Sequence, residues 1–236
     1  MMNATLTDTR EEFLASTKKT MEASRAMRHP FLQQFRDAQL PLEALRTFGI
    51  LWYKTARYHK QAFPALIWNI PDDNVRFDLI DILREEYGNG DRTMIHASML
   101  QRFLTALGVS EADVEATPTP AGIQAFGARV LEIWRGAPPA YAFGLHFALE
   151  YLAASLHTYF ADGLEKYPFL SIGDRQYFEF HRAAEPMHAD LSEAGFLHYA
   201  ISEENRAALT TSVEEGITLL NHLWDTFGVA VLKPQP

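Results

Sequence analysis

Helical periodicity along almost the whole chain is the feature that most constrains its fold. Apolar residues recur at three- and four-residue spacings, and no stretch shows the convincing alternation of a strand. Helix boundaries can also be read. Pro41 suits the first residue of a long helix, while Gly88 and Gly90 end a later one. The pattern predicts an all-α bundle of about seven or eight helices, with residues 1–236 forming a single domain.

Composition narrows the class of protein. The 236 residues are 47% hydrophobic, which is enough for one large core. The formal net charge is -9 and no dense basic run occurs, so we expect neither nucleic acid nor an anionic membrane surface as a partner. The polar start is unlike a signal peptide and no long uncharged apolar run follows, so we expect a cytoplasmic protein. Because cysteine is absent, any metal must be held by histidine and carboxylate.

One short segment carries the donors for such a metal. His181, Glu185 and His188 stand at positions i, i+4 and i+7. A helix turns by about 100° per residue, so the three side chains share one face of it. Nitrogen and oxygen donors together suit iron or manganese better than calcium. Pro186 lies inside this segment, which implies either a kink or a break in the helix.

Carboxylates elsewhere in the chain strengthen this interpretation. Glu150 lies within a very apolar run, where an unpaired charge would cost several kcal/mol, so it needs a partner such as a metal ion. Glu86 is followed by His96 ten residues later. Glu85 is the alternative to Glu86 if the helical phase differs by one residue. The predicted metal ligands are Glu86, His96, Glu150, His181, Glu185 and His188.

With these residues in view, the sequence resembles the haem-oxygenase-like di-iron oxidase and oxygenase superfamily. That superfamily includes the chlamydial death-domain-associating protein, and its fold is shared by thiaminase II and pyrroloquinoline-quinone biosynthesis protein C. Its pattern is a glutamate, a following histidine, a later glutamate and a closing His-x3-Asp/Glu-x2-His. Two departures stand out. Glu185 replaces the more frequent aspartate, and Phe160 stands near the place where the chlamydial subgroup has a sacrificial lysine.

The resemblance implies an O2-dependent non-haem di-iron enzyme with a haem-oxygenase-like helical fold. It implies two iron ions, with manganese as an alternative, and O2 as co-substrate. The expected substrate is a small carboxylate-bearing molecule, either amino-acid-like or a fatty acid. The expected reactions are hydrogen abstraction, C–C cleavage or N-oxygenation. An external electron donor and a homodimer complete the expectation.

Two other functions remain open at this point. The first is a metal-free enzyme resembling thiaminase II or the quinone-cofactor biosynthesis oxidase. The second is a non-catalytic interaction protein with a vestigial site. His146 and His157 could support the site or simply belong to the core. Three arginines could bind a substrate carboxylate, namely Arg57, Arg129 and Arg182.

Overall fold

The structure is a computed structural model that describes residues 2–232, with all side chains in that range except those of residues 2–8, 184–187 and 189. Within residues 2–232 there are ten α-helices, three short 3-10 helices and no strand. The 3-10 helices are Arg25–Arg28, Gly88–Gly90 and Arg92–Met94. The α-helices are α1 (Met2–Ala23), α2 (Pro30–Asp37), α3 (Leu42–Asn69), α4 (Asp73–Glu86), α5 (His96–Ala106), α6 (Glu111–Ala116), α7 (Ala121–Gly136), α8 (Pro139–Leu164), α9 (Gln176–Tyr199) and α10 (Glu203–Leu232).

The all-α prediction is confirmed, although the helices of the described range outnumber the seven or eight expected. The sequence does not predict α6, because its six residues are too few to show a helical period. Its capping box is legible, since Ser110 and Asp113 each accept a hydrogen bond from the other's backbone N–H. Pro64 lies inside α3 and Pro186 lies inside α9, and both helices are continuous. In particular, α9 runs unbroken through position 186, so the break considered above does not occur.

Helix α8 is the centre of the bundle and packs against α9 and α10. Most of its side chains are buried. An aromatic cluster forms the core beside it, in which the Phe160 ring centroid lies 4.9 Å from that of Phe48 and 5.0 Å from that of Trp52. Phe160 is therefore an ordinary core residue, and it offers no amine where a sacrificial lysine would stand. Among the described residues, no helix is long and apolar enough to cross a membrane.

Gly163 marks the close approach of α8 to α2. A Cβ atom built there would lie 2.6 Å from the main-chain oxygen of Phe35, and a backbone atom cannot move aside as a flexible side chain could. We expect Gly163→Ala to lower the free energy of unfolding by about 1–3 kcal/mol through overpacking. Gly228→Ala, on α10, is the matched control because its nearest neighbour would be 3.8 Å away. Urea denaturation should show the control unchanged or stabilised by up to about 1 kcal/mol. Equal stability of both variants would contradict the close packing of α2 on α8.

Candidate metal centre

Three of the predicted ligands meet between α4, α5 and α9. One donor atom from each of Glu86, His96 and His181 lies within 4.8 Å of the others. His96 Nδ1 is 2.9 Å from Glu86 Oε2, and His181 Nε2 is 3.7 Å from Glu86 Oε1. Both imidazoles are buried and the carboxylate is half-buried. We call these three residues the first cluster.

The turn after α4 brings His96 to Glu86. Asp72 begins α4 by accepting hydrogen bonds from the backbone of Asn74 and Val75, and Glu86 is the last residue of the helix. Gly88 then takes a φ of +78°, and a side chain there would collide with the main chain of Met94. Asp91 accepts a hydrogen bond from the Thr93 backbone, which closes the turn just before His96 opens α5. The glycine-rich segment is therefore a means of placing two donors side by side.

His181 presents a lone pair to this cluster. Its Nδ1 lies 2.7 Å from the main-chain oxygen of Tyr177, and a carbonyl can only accept a hydrogen bond. Burial lowers the pKa of His181, which favours the neutral ring with its single proton on Nδ1. Nε2 then points a lone pair at the Glu86 carboxylate. Two acceptors facing each other need a cation or a proton between them, and a carbonyl behind the ring is the usual support of a metal-binding histidine.

The other two donors are equally suited to a cation. Burial alone would raise the pKa of Glu86, but positive charge between it and the imidazoles of His181 and His96, carried by a proton or a cation, holds its pKa well below the usual range. Glu86 is therefore ionised at neutral pH. Among the described residues, neither ring nitrogen of His96 has a hydrogen-bond partner, because its close contact with Glu86 lacks hydrogen-bond geometry. Buried polar atoms without partners are rare, and they fit a ligand of a metal ion.

A second cluster lies beside the first and consists of Glu85, Glu150 and His188. The His188 ring lies between the two carboxylates, with Nε2 in close contact with Glu85 and Nδ1 3.5 Å from Glu150 Oε2. The two carboxylates are each about 6% exposed and His188 is 2% exposed. A neutral imidazole has only one N–H and cannot donate to both carboxylates. A cation between these groups would satisfy them all, as would a doubly protonated ring.

Two more imidazoles surround Glu150. His146 Nδ1 is 3.8 Å and His59 Nε2 is 3.9 Å from Glu150 Oε1. Burial opposes ionisation of Glu150, yet the contact with His188 and the neighbouring imidazoles keep its pKa below the usual value. Burial lowers the pKa of His146 to about 4, so this ring is neutral at neutral pH. His146 Nε2 lies 3.2 Å from Ser192 Oγ, which ties the ring to α9.

The structure thus brings five of the six predicted ligands into two adjoining clusters. The side chain of the sixth, Glu185, lies outside the described residues. Glu85 is not a substitute for Glu86, since the two carboxylates belong to different clusters. Neighbouring helical residues point about 100° apart, which lets one helix end serve both clusters.

His157 stacks on His181 with a centroid distance of 4.4 Å and supports that ring. His59 was not singled out by any pattern in the sequence.

Both clusters face a buried cavity of about 110 Å³. The rest of its lining is largely apolar and includes Leu149 and Leu156 of α8 and Leu220 and Leu223 of α10. Trp52 joins this cavity to the aromatic core. A site of this kind excludes bulk water and strengthens electrostatic interactions within it.

Comparison with solved structures identifies the fold. A CADD-like protein of unknown function from Nostoc punctiforme superposes with a TM-score of 0.77 at 16% identity, over 94% of this chain and 98% of that one. A TenA homologue from Pseudomonas syringae pv. tomato gives 0.74 at 15%, over 92% and 91%. A domain of unknown function with a haem-oxygenase-like fold from Shewanella denitrificans gives 0.68 at 14%, over 92% and 89%. The chain therefore has the haem-oxygenase-like fold predicted from its sequence.

Sequence comparison identifies the family. Among curated proteins, no sequence matches the chain. A family model described as "iron-containing redox enzyme" matches residues 44–221. That range covers most of the chain and extends from α3 into α10, so it includes every residue of both clusters. The chain belongs to this family of iron-containing redox enzymes.

Proposed function

We propose that the chain is a non-haem di-iron enzyme that uses O2 to oxidise a small, carboxylate-bearing substrate. The observation that carries this proposal is the first cluster, where a carboxylate, a histidine lone pair and a buried imidazole with no hydrogen bond among the described residues converge within 4.8 Å. Such a set of nitrogen and oxygen donors, with no thiolate, suits ferrous and ferric iron. Membership of an iron-containing family supports the same metal.

The second cluster supports a second iron ion. Glu85, Glu150 and His188 would hold it, and Glu185, on the same helix as His188, would add a further carboxylate. The three described carboxylates of the two clusters carry a charge of -3 when ionised. Two divalent cations would offset it and leave room for an anionic ligand. Bound iron would supply the electrons for reducing O2 and the oxidising power for attack on substrate.

The chain's own residues perform the remaining tasks. The Tyr177 carbonyl fixes the tautomer and the orientation of His181, so that Nε2 faces the cluster. Lys60 donates a hydrogen bond to the Glu86 main-chain oxygen, and its Nζ lies 3.7 Å from Oε2, so it helps to hold that carboxylate in place. The apolar walls keep substrate beside the clusters and exclude water from the reaction.

The alternative is a metal-free enzyme acting by acid–base chemistry. Structural similarity to a TenA homologue favours it to the extent that the two proteins share a fold. The convergence of three ionisable carboxylates with buried imidazoles favours the di-iron proposal, because acid–base chemistry does not require two such clusters.

Elemental analysis followed by O2 uptake tests the proposal. After anaerobic loading with ferrous iron, we expect about two iron ions per chain. A panel of amino acids and fatty acids should contain at least one compound that accelerates O2 consumption. Protein without specifically bound metal would favour the metal-free alternative. Bound iron with no O2 consumption against any compound would contradict the oxidative function and favour a non-catalytic protein.

A further inference from the structure

The buried cavity has an entrance. A surface groove of about 750 Å³ shares four lining residues with it, namely Tyr53, Arg57, Lys60 and Ala97. The outer part of the groove is lined by α5 and α6. Cavity and groove therefore meet at one throat between α3 and α5. A substrate entering from solvent along this groove passes Arg57 and Lys60 before it reaches the clusters.

The two cationic side chains at the throat, Lys60 and Arg57, differ in their exposure and in their contacts. The Lys60 ammonium is half-buried and held by the main chain and the carboxylate of Glu86. Arg57 is exposed, and among the described side chains no carboxylate lies within 4.0 Å of its guanidinium. Its guanidinium lies over the ring of Tyr53, 5.8 Å from the centroid. An arginine stacked on an aromatic ring keeps its hydrogen-bonding edge available for a ligand.

The other two candidate arginines are already occupied. Arg129 forms ion pairs with Glu132 and Glu215. Arg182 forms ion pairs with Glu179, Asp162 and Glu165. Neither of them lines the cavity or the groove. Of the three arginines that could bind a substrate carboxylate, the structure leaves only Arg57 both unpaired within the described residues and placed at the throat.

We propose that Arg57 binds the carboxylate of an amphipathic monocarboxylate substrate, whose apolar part extends into the buried cavity. This inference rests on the proposed function and specifies how its substrate is recognised. A planar guanidinium can bind a carboxylate through two parallel hydrogen bonds, which fixes orientation as well as position. The leucine side chains of α8 and α10 provide the apolar surface for the remainder of the molecule. A neutral or cationic analogue would lose the interaction at the throat.

Binding of octanoate to the full-length protein after iron removal tests this proposal. Removing iron is necessary because a carboxylate could otherwise bind the metal. Calorimetry, or a change in the fluorescence of the cavity residues Trp52 and Trp224, reports binding. We expect octanoate to bind at least about tenfold more tightly than 1-octanol, and Arg57→Gln to abolish this preference while leaving octanol binding unchanged. Arg57→Lys should retain part of it. Arg84→Gln, at an exposed arginine of α4, removes the same charge away from the throat and should behave as wild type.

Each result decides the question. The assignment of Arg57 would be overturned if wild-type protein binds octanoate no more tightly than octanol. It would also be overturned if Arg57→Gln binds octanoate with the same affinity as wild type. Unchanged octanol binding in that variant shows that the cavity is intact, so a loss of octanoate affinity cannot be due to misfolding. Iron loading of the same variant separates this inference from the proposed function. We expect Arg57→Gln to bind as much iron as wild type, whereas failure of the di-iron proposal would appear as missing iron in wild-type protein.

Discussion

His181→Ala should abolish O2-dependent activity and lower the iron content by at least one ion per chain. The substitution removes the nitrogen that faces Glu86 and leaves this half-buried carboxylate without that partner. Loss of a ligand from the first cluster should reduce turnover by more than about 100-fold. Mutation of a residue that only orients a metal ligand already lowers metal affinity or activity by about 10- to 100-fold. The helical bundle should persist, because the ring borders a cavity rather than filling the aromatic core. Iron analysis, circular dichroism and O2 uptake measure the three effects.

His222→Ala is the control for that experiment. His222 is an exposed residue of α10 that does not line the cavity, so its loss should change neither iron content nor activity. Full turnover and full iron content in His181→Ala would mean that the first cluster is not a metal site.

Glu85→Gln should reduce the iron content from about two ions per chain to about one and should also abolish oxidative turnover. The amide has the shape of the carboxylate but not its charge, so it binds a divalent cation poorly. Glu86→Gln should instead remove the iron ion held by the first cluster. The two neighbouring substitutions therefore remove different iron ions, which metal titration of each variant can resolve. Turnover in either variant should fall by about 100-fold or more.

Glu43→Gln provides the matched control, because Glu43 is an exposed glutamate on α3 that pairs only with Arg46 in the described structure. It should behave as wild type. If Glu85→Gln retains two iron ions and normal turnover, Glu85 is merely a hydrogen-bond partner of His188. Identical iron loss in Glu85→Gln and Glu86→Gln would contradict the division into two clusters.

Sequence reasoning reached the fold because helical periodicity is a local property. Each long amphipathic helix could be recognised from its own residues, and the C-terminal end of α4 could be predicted from the glycines at 88 and 90. The short helix α6 escaped notice, since six residues carry capping information but no period. The effect of Pro186 could not be decided from the sequence, because neighbouring helices determine whether a helix continues through a proline.

Part of the site could also be predicted from the sequence, because it depends on local spacing. Spacing along α9 placed His181 and His188 on one face, and an isolated carboxylate in the apolar run of α8 identified Glu150. The sequence offers Glu85 only as an alternative to Glu86, because it cannot show that two neighbouring residues at the end of α4 face two different clusters. The availability of Arg57 was also hidden, since it depends on the ion pairs that occupy Arg129 and Arg182 elsewhere in the fold. Such pairings arise only when distant segments are packed together.

Mössbauer spectroscopy of protein loaded with isotopically enriched ferrous iron and then exposed to O2 tests the di-iron proposal most directly. We expect about two iron ions per chain, which after oxidation give the spectrum of an antiferromagnetically coupled pair. Coupling requires the two ions to be close neighbours, as the adjoining clusters predict. Uncoupled ferric iron, a single ion per chain, or an absence of specifically bound iron would contradict the proposal.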